Sequence, residues 1–592
     1  MIRSKAMRLK FAMSAMVCRI SWVALLAPLL VLIILALASC SGSDSDSSGF
    51  SDPSGSTVED EPTEQDPAGP SSSDSAEFDA PLTIEDLENQ WAETRADLIE
   101  SLNTEIAAGR YGVDSNNVLH GPAQFELDLT TCPSGWSETA GVTDQSITIG
   151  LTTAQSGLGA VFGDAATGLG FYLDEVNTDG GIDGRQVDLM IDDDSYEPGQ
   201  TASLVAERLA TDEAFSITTM GTSTSLTVYD ALNSACVPQP FVMSTHPAWG
   251  DPSEHPWTVG LPLSAATEPI IWGEWIGENL AADLPVTVGT ISLANDSGLP
   301  LADTFADWAG EHPEVIDSVV SVEHSSVGGS LDSYVATLAE AEPDVVIIMT
   351  VDRFCIPVIN AVSAIGPATS SLDTTDGLNQ DNGSEAGASD VSDPDGVEVG
   401  EDSSLSLKAR ILSSACADES LYLGPAGEAA DGLLAVDGGL LTLDVSNSGL
   451  GSDPVESPAV ERGGLSEPNA VWLNHMQERL AEEGLDAPSD LLVSGYGLLG
   501  WAQVEALRIA AELDGGLTRS NLLLALRALD LVHPMLVEGI SFQTNGLDDA
   551  YPIEGATLTA FDAETGQWAP DGDLIDANGQ SSTCSWQENS CR

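Results

Sequence analysis

Two short clusters in this 592-residue chain carry side chains suited to holding a small polar molecule. Thr222, Ser223 and Thr224 follow an apolar stretch at 215–219, and Ser244, Thr245 and His246 follow another at 239–243. Hydroxyls and backbone N–H groups at a helix start form a cradle for a carboxylate, and the same residues also serve as plain helix caps. Phe162 lies in a Gly-rich loop just before Gly163-Asp164, where an aromatic can cover the core beneath it. His246, Trp249 and Trp257 suggest a bulky or aromatic lining, although a lone His and large aromatics also serve as core. Catalytic signatures are missing: there is no GxSxG, SxxK, HExxH or phosphate-binding loop, and Gly157-Leu158-Gly159 with Gly163 misses the dinucleotide spacing. The expectation is a binding protein with no catalytic residue, metal or cofactor.

Beyond Cys18 and Cys40 the cysteines are Cys132, Cys236, Cys355, Cys416, Cys584 and Cys591, with no CxxC and no Cys/His cluster. That usage points to structural disulfides rather than metal or redox chemistry. Cys355 and Cys416 each lie just past a predicted strand. If those strands are neighbours, about 4.8 Å apart, their loops are within disulfide reach. Cys584 with Cys591 closes a short tail loop, which leaves Cys132 with Cys236.

The elements that position these residues sit in a strongly acidic chain. Lys and Arg number 18 against 94 Asp and Glu, a formal net charge of -76. Five of the bases (Arg3, Lys5, Arg8, Lys10, Arg19) precede the first acid. Nucleic acid is excluded as a partner of the folded part, because that binding rests on cationic neutralisation of phosphates. So acidic a surface suits a salty medium that screens its self-repulsion, or reflects a lineage-wide acidic proteome. The basic start leads into an apolar run at 20–38 and then Leu37-Ala38-Ser39-Cys40, the pattern of a secretory signal. The alternative is an uncleaved anchor helix, since about 19 apolar residues just span a bilayer. Residues 40–80 are Ser, Gly, Asp, Glu and Pro with few large apolar side chains and read as a disordered acidic tether. Residues 81–141 form an extension with one helix, whose apolar positions are Leu87, Trp91, Ile99 and Leu102.

From residue 145 strands and helices alternate. Strands are expected at 146–151, 186–191, 215–219, 239–243, 286–291, 319–323, 344–349 and 409–412. Helices are expected between them at 168–176, 200–209, 226–232, 268–280, 302–309, 330–339 and 356–365. This βα alternation predicts two doubly wound parallel-sheet lobes around a hinge, an α/β fold with the ligand cleft at the strands' carboxyl ends. Residues 367–407 hold ten acids and no base, and interrupt the pattern on the edge opposite that cleft. They read as a disordered acidic insertion, with a regulatory or ion-binding loop as the alternative.

Several stretches in co-linear order carry a family resemblance. They are Ile149-Gly150-Leu151 through Ser156-Gly157, Phe162-Gly163-Asp164, Val176-Asn177, Gly180-Gly181-Ile182-Asp183-Gly184-Arg185, and Asp192-Asp193-Asp194 with Pro198. Gly221-Thr222-Ser223-Thr224-Ser225, Val237-Pro238-Gln239-Pro240-Phe241-Val242, Gly427-Glu428-Ala429-Ala430-Asp431-Gly432 and Tyr496-Gly497 continue them. Together they resemble the type I periplasmic binding proteins of ABC importers, nearest the leucine/isoleucine/valine-binding branch, and with Cys40 a substrate-binding lipoprotein. The resemblance implies an amino-acid-like or amide/carboxylate ligand captured between closing lobes. Its partners would be a membrane permease with cytoplasmic ATPase subunits, and the membrane itself through a lipid on Cys40 at the cell's outer face.

The implied ligand-binding residues are Phe162, Thr222, Ser223, Thr224, Ser244, Thr245, His246, Trp249, Thr350 and Asp352. The chain departs from the family at two points: Val351 stands where an aromatic is expected, and Ala415 where an ammonium-accepting acid is expected. Asp352, Asp296 or Asp418 would substitute as the acid. The implied layout is a signal at 1–39, lobe one at 142–265 and 436–530, and lobe two at 266–435 and from 531 into the tail. A surface sensor that signals through a partner without transport is the alternative function.

Overall fold

A computed structural model describes residues 82–365, 407–436, 467–482, 496–537 and 539–581. The signal, Cys40, the tether, nearly all of the acidic insertion, Cys584 and Cys591 lie outside the described residues. Helix α1 (Ile84–Ala107) begins with a capping box in which the Thr83 hydroxyl accepts from the Asp86 N–H while the Asp86 carboxylate accepts from the Thr83 N–H. Its buried residues are the expected Leu87, Trp91, Ile99 and Leu102. They join the first hydrophobic core, so the extension is built into the fold. Arg95 Nη1 bonds Glu505, 2.6 Å away and fully buried, and this ties α1 to a later helix.

The first sheet is built from β1 (Ser146–Thr153), α2 (Asp164–Thr178), β2 (Gln186–Asp193), α3 (Pro198–Thr211), β3 (Ser216–Thr219), α4 (Thr222–Ser234), β4 (Gln239–Val242) and β5 (Thr258–Gly260). Its strands are parallel in the order β2-β1-β3, and a parallel bridge from Met220 to Met243 continues to the β4-β5 pair. The chain then crosses over, with Leu261 in the first core and Leu263 in the second.

The second sheet follows with α5 (Glu268–Asn279), β6 (Val286–Leu293), α6 (Leu299–Glu311), β7 (Ile316–His324), α7 (Asp332–Glu340), β8 (Val345–Met349), α8 (Cys355–Ser363), β9 (Ala409–Leu412) and β10 (Leu433–Val436). Its order is β7-β6-β8-β9-β10, all parallel, with two antiparallel strands added at the β10 edge. β8 is buried at every position, as the apolar run Val-Val-Ile-Ile-Met requires of a central parallel strand.

Three more helices return to the first core: α9 (Glu467–Glu482), α10 (Gly497–Glu512) and α11 (Arg519–Leu526). The final passage, placed near residue 531 by the sequence, falls later. Met535, Ile540, Phe542 and Ile553 still pack in the first core, and Ala556 is the next residue in the second. Apolar content alone does not say which core a segment joins. The two added edge strands, β11 (Leu558–Asp562) and β12 (Gln567–Pro570), complete the second sheet.

Both expected internal disulfides are present among the described residues. Cys132–Cys236 joins the extension to the end of α4, and Cys355–Cys416 joins the loops after β8 and β9. No helix among the described residues is long and apolar enough to cross a membrane.

Candidate functional site

In both sheets the strand order reverses beside the first strand of the series, at β1/β3 and at β6/β8. Loops at the carboxyl ends there splay apart and form the natural crevice. In the first half, β1 runs into a turn where Thr153 Oγ1 donates to the Phe162 carbonyl at 2.7 Å. The β2 end is knotted by carboxylates. Asp193 accepts from the Gln155 and Ser195 N–H groups, and Asp194 accepts from the Tyr196 N–H and the Thr201 hydroxyl. Ser195 and Tyr196 both hold the left-handed conformation, φ 52° and 61°. Two consecutive non-Gly residues in that region are costly and persist only where surroundings over-determine them.

The result is that Tyr196 lies over the start of α4. A Cβ placed on Gly221 would be 2.4 Å from Tyr196 Cε2 and 2.8 Å from its hydroxyl, so only glycine fits; its φ of 81° requires the same. Phe162 stacks on the Tyr196 ring with centroids 5.3 Å apart. Phe162 thus packs on a tyrosine, Tyr196, that the sequence reading did not single out.

The hydroxyl clusters behave differently from one another. Thr222 Oγ1 and Ser244 Oγ bond each other at 2.9 Å. Thr224 is fully buried and donates back to the Met220 and Gly221 carbonyls, so its hydroxyl serves the helix start and is not offered to a ligand. Ser223 is exposed and Thr245 half-buried. His246 is buried; its Nδ1 accepts from the Ala248 N–H at 3.1 Å, and burial brings its pKa down to about 3, so the ring is neutral. Trp249 donates its indole N–H to the Ser244 carbonyl and packs edge-on against Tyr229. Trp257 belongs to the first core. His246 and Trp249 thus build the loop that carries Ser244, while Trp257 serves the core.

In the second half, Thr350 is buried below the cleft and shares a 3.0 Å bond with His324 Nε2. Asp352 follows with φ 54°, a strained position at the carboxyl end of a central parallel strand. Burial raises its carboxyl above the usual range. Among the described residues the Asp352 side chain has no hydrogen-bond or ion-pair partner. Asp296 is exposed, and Asp418 caps the turn Glu419–Leu423 by accepting from the Leu421 N–H. Beside Ala415, Ser414 donates through its N–H and hydroxyl to Glu268 at 2.7 and 3.0 Å. Glu268 is 1% exposed, and burial pushes its carboxyl up to about 7.

The two halves meet through aromatic residues. The Tyr196 phenol is held up by burial first and then by the charges of Asp352 and Asp194. Tyr422 is pushed up to about 12 by burial, Asp352 and Asp418. Tyr496, 1% exposed at the start of α10, feels Asp164, Asp418 and Tyr196 in addition to its burial. Tyr196, from the first half, is thus within electrostatic reach of Asp352 from the second, and Tyr496 of Asp164 and Asp418.

This architecture has known counterparts. Residues 146–388 match the sequence model of a family described as periplasmic binding protein. The fold is that of the type I periplasmic binding proteins. A branched-chain amino acid ABC transporter protein from Thermus thermophilus, solved with bound valine, superposes with a TM-score of 0.53 at 14% identity, covering 74% of this chain and 97% of its own. A fatty acid ABC transporter substrate-binding protein from Thermomonospora curvata gives 0.52 at 15% identity, over 76% and 98%. A possible leucine/isoleucine/valine-binding protein from Rhodopirellula baltica gives 0.51 at 15%, over 74% and 98%. No curated protein sequence matches the chain. The matched family is described as one of periplasmic binding proteins.

Proposed function

We propose that the protein is the solute receptor of an ABC importer, exported through the signal at 1–39 and held at the outer face of the membrane by a lipid on Cys40. The acidic tether at 40–80 carries the receptor clear of the membrane, and the permease with its ATPase subunits takes up what the lobes capture. The observation that carries this reading is the meeting, between two parallel sheets, of loops from both carboxyl edges, with the charge of Asp352 on one side acting on Tyr196 on the other. Residues so arranged change their separation when lobes close, so a ligand that touches both halves selects the closed form by its differential affinity for it. Asp352 and Tyr422 serve as contacts from the second half and Phe162, Tyr196, Ser223 and Thr245 from the first, while Thr350 and Ser244 position them.

The test is a thermal-shift screen of the exported protein across amino acids, amines, amides, carboxylates and neutral solutes, followed by calorimetry on the hits. A receptor gives at least one saturable ligand with a rise in melting temperature that grows as the logarithm of its concentration. Absence of binding in every class overturns the reading.

A further inference from the structure

The start of α4 is where the first half has N–H groups to offer, because a helix does not bond its own first N–H groups. Tyr196 stands over that start. Its side chain is clasped by two glycines: a Cβ on Gly221 would lie 2.4 Å from Tyr196 Cε2, and a Cβ on Gly159 would lie 2.8 Å from Tyr196 Cβ. Phe162 backs the ring, with centroids 5.3 Å and planes 25° apart. The backbone beneath is fixed as tightly. Asp194 accepts from the Tyr196 N–H and Asp193 from the Ser195 N–H, each at 2.9 Å, and the Ser195 and Ser156 hydroxyls bond each other at 2.9 Å. Moving the ring aside would cost these contacts together.

The hydroxyls around this spot are engaged as well. Thr222 and Ser244 bond each other, Ser244 Oγ also receives the His246 N–H at 3.3 Å, and Thr224 donates to the Met220 and Gly221 carbonyls. A carboxylate that leaves water needs several donors at about 2.8 Å and is costly to bury without them. At the α4 start the Tyr196 ring fills the space through which it would approach. What remains for a solute is the part of that half-buried ring left open, with Phe162 behind it. Such a pair receives apolar or flat groups through buried area and ring contact. We propose that Tyr196 is a specificity-determining residue: it occupies the place at the start of α4 where a carboxylate would sit, so the receptor takes solutes with an apolar or neutral end on that side and rejects those that present a carboxylate there.

This names a solute class for the receptor reading and rests on it. Selectivity of this kind comes from an obstacle built against the wrong solute, in addition to contacts made with the right one. A zwitterionic amino acid would have to displace Tyr196 from Gly221 to place its carboxylate.

Two matched pairs test it: leucine with leucinamide, and 4-methylpentanoate with 4-methylpentanamide, each pair sharing a skeleton and differing in carboxylate against amide. Calorimetry is run at high salt, so that the net charge of the chain does not sort charged probes non-specifically. The natural protein is expected to bind an amide at least about tenfold more tightly than its carboxylate. Tyr196→Asn clears the space with a residue that tolerates the left-handed backbone, and should shrink that ratio at least about tenfold by gaining carboxylate affinity. Tyr196→Gly serves as a second such variant, and Tyr196→Phe, which keeps the ring, should restore the ratio. A carboxylate bound by the natural protein within about tenfold of its amide overturns the assignment, as does a ratio that Tyr196→Asn and Tyr196→Gly leave in place. If the natural protein binds none of the four probes, these two variants must gain binding of leucine or 4-methylpentanoate, and absence of that gain overturns the assignment equally. The receptor reading falls separately, only if no solute of the wider screen binds.

Discussion

Gly221 is the residue on which the cradle turns. Its positive φ and the Tyr196 ring packed where a Cβ would be leave no room for a side chain. Gly221→Ala is expected to cost roughly 1–3 kcal/mol of stability through backbone strain and the clash, read as a lowered urea midpoint with unchanged slope. Tyr196→Ala in the same chain should recover the steric part and leave the backbone part. If Gly221→Ala alone is neutral, Tyr196 does not sit over the helix start. The residue scale also shows where sequence reading stopped short. Phe162 was singled out by its place before Gly163-Asp164 and Asp352 only as one of three candidate acids with Asp296 and Asp418, whereas nothing in the sequence singled out Tyr196 and Tyr422. Their placement depends on a left-handed pair at 195–196 and on a short turn capped by Asp418, features that leave no periodic signature.

The element best suited to a test is α5, whose first residue Glu268 reaches across to the loop after β9. Its carboxyl is raised by burial to about 7 from an ordinary 4.5. A carboxyl raised in the folded state favours folding when protonated. The contribution is therefore fully present below the unfolded pKa and is lost as pH rises through about 7, with an upper size of roughly 3 kcal/mol. Glu268→Gln keeps an acceptor for the Ser414 N–H and removes the titration. The melting temperature of the natural protein is expected to fall between pH 5 and 9 more than that of Glu268→Gln; parallel curves would contradict the buried position of Glu268. The elements themselves were largely legible, because strands buried on both faces read as apolar runs and helices as amphipathic turns between them. The predicted spans at 286–291 and 409–412 lie within β6 and on β9. The final return to the second sheet was misplaced because residues 531–553 carry short, irregular strands whose apolar side chains suit either core.

Across the whole molecule, the charge of -76 and the cleft now separate into two roles. The surface acids set solubility and long-range repulsion, which salt screens. The acid proposed for binding is Asp352, whose side chain makes no hydrogen bond or ion pair among the described residues and which feels the neighbouring Arg353 charge. The two disulfides fix this arrangement from below, Cys355–Cys416 tying the Asp352 loop to its neighbour and Cys132–Cys236 tying the extension to the first sheet. The most direct test of the whole account is a crystal structure of the protein with the tightest-binding solute found in the screen. The account predicts closed lobes with the solute held between Asp352 and Tyr422 on one side and Phe162, Tyr196, Ser223 and Thr245 on the other. A solute bound elsewhere, or lobes that stay open around it, would contradict it.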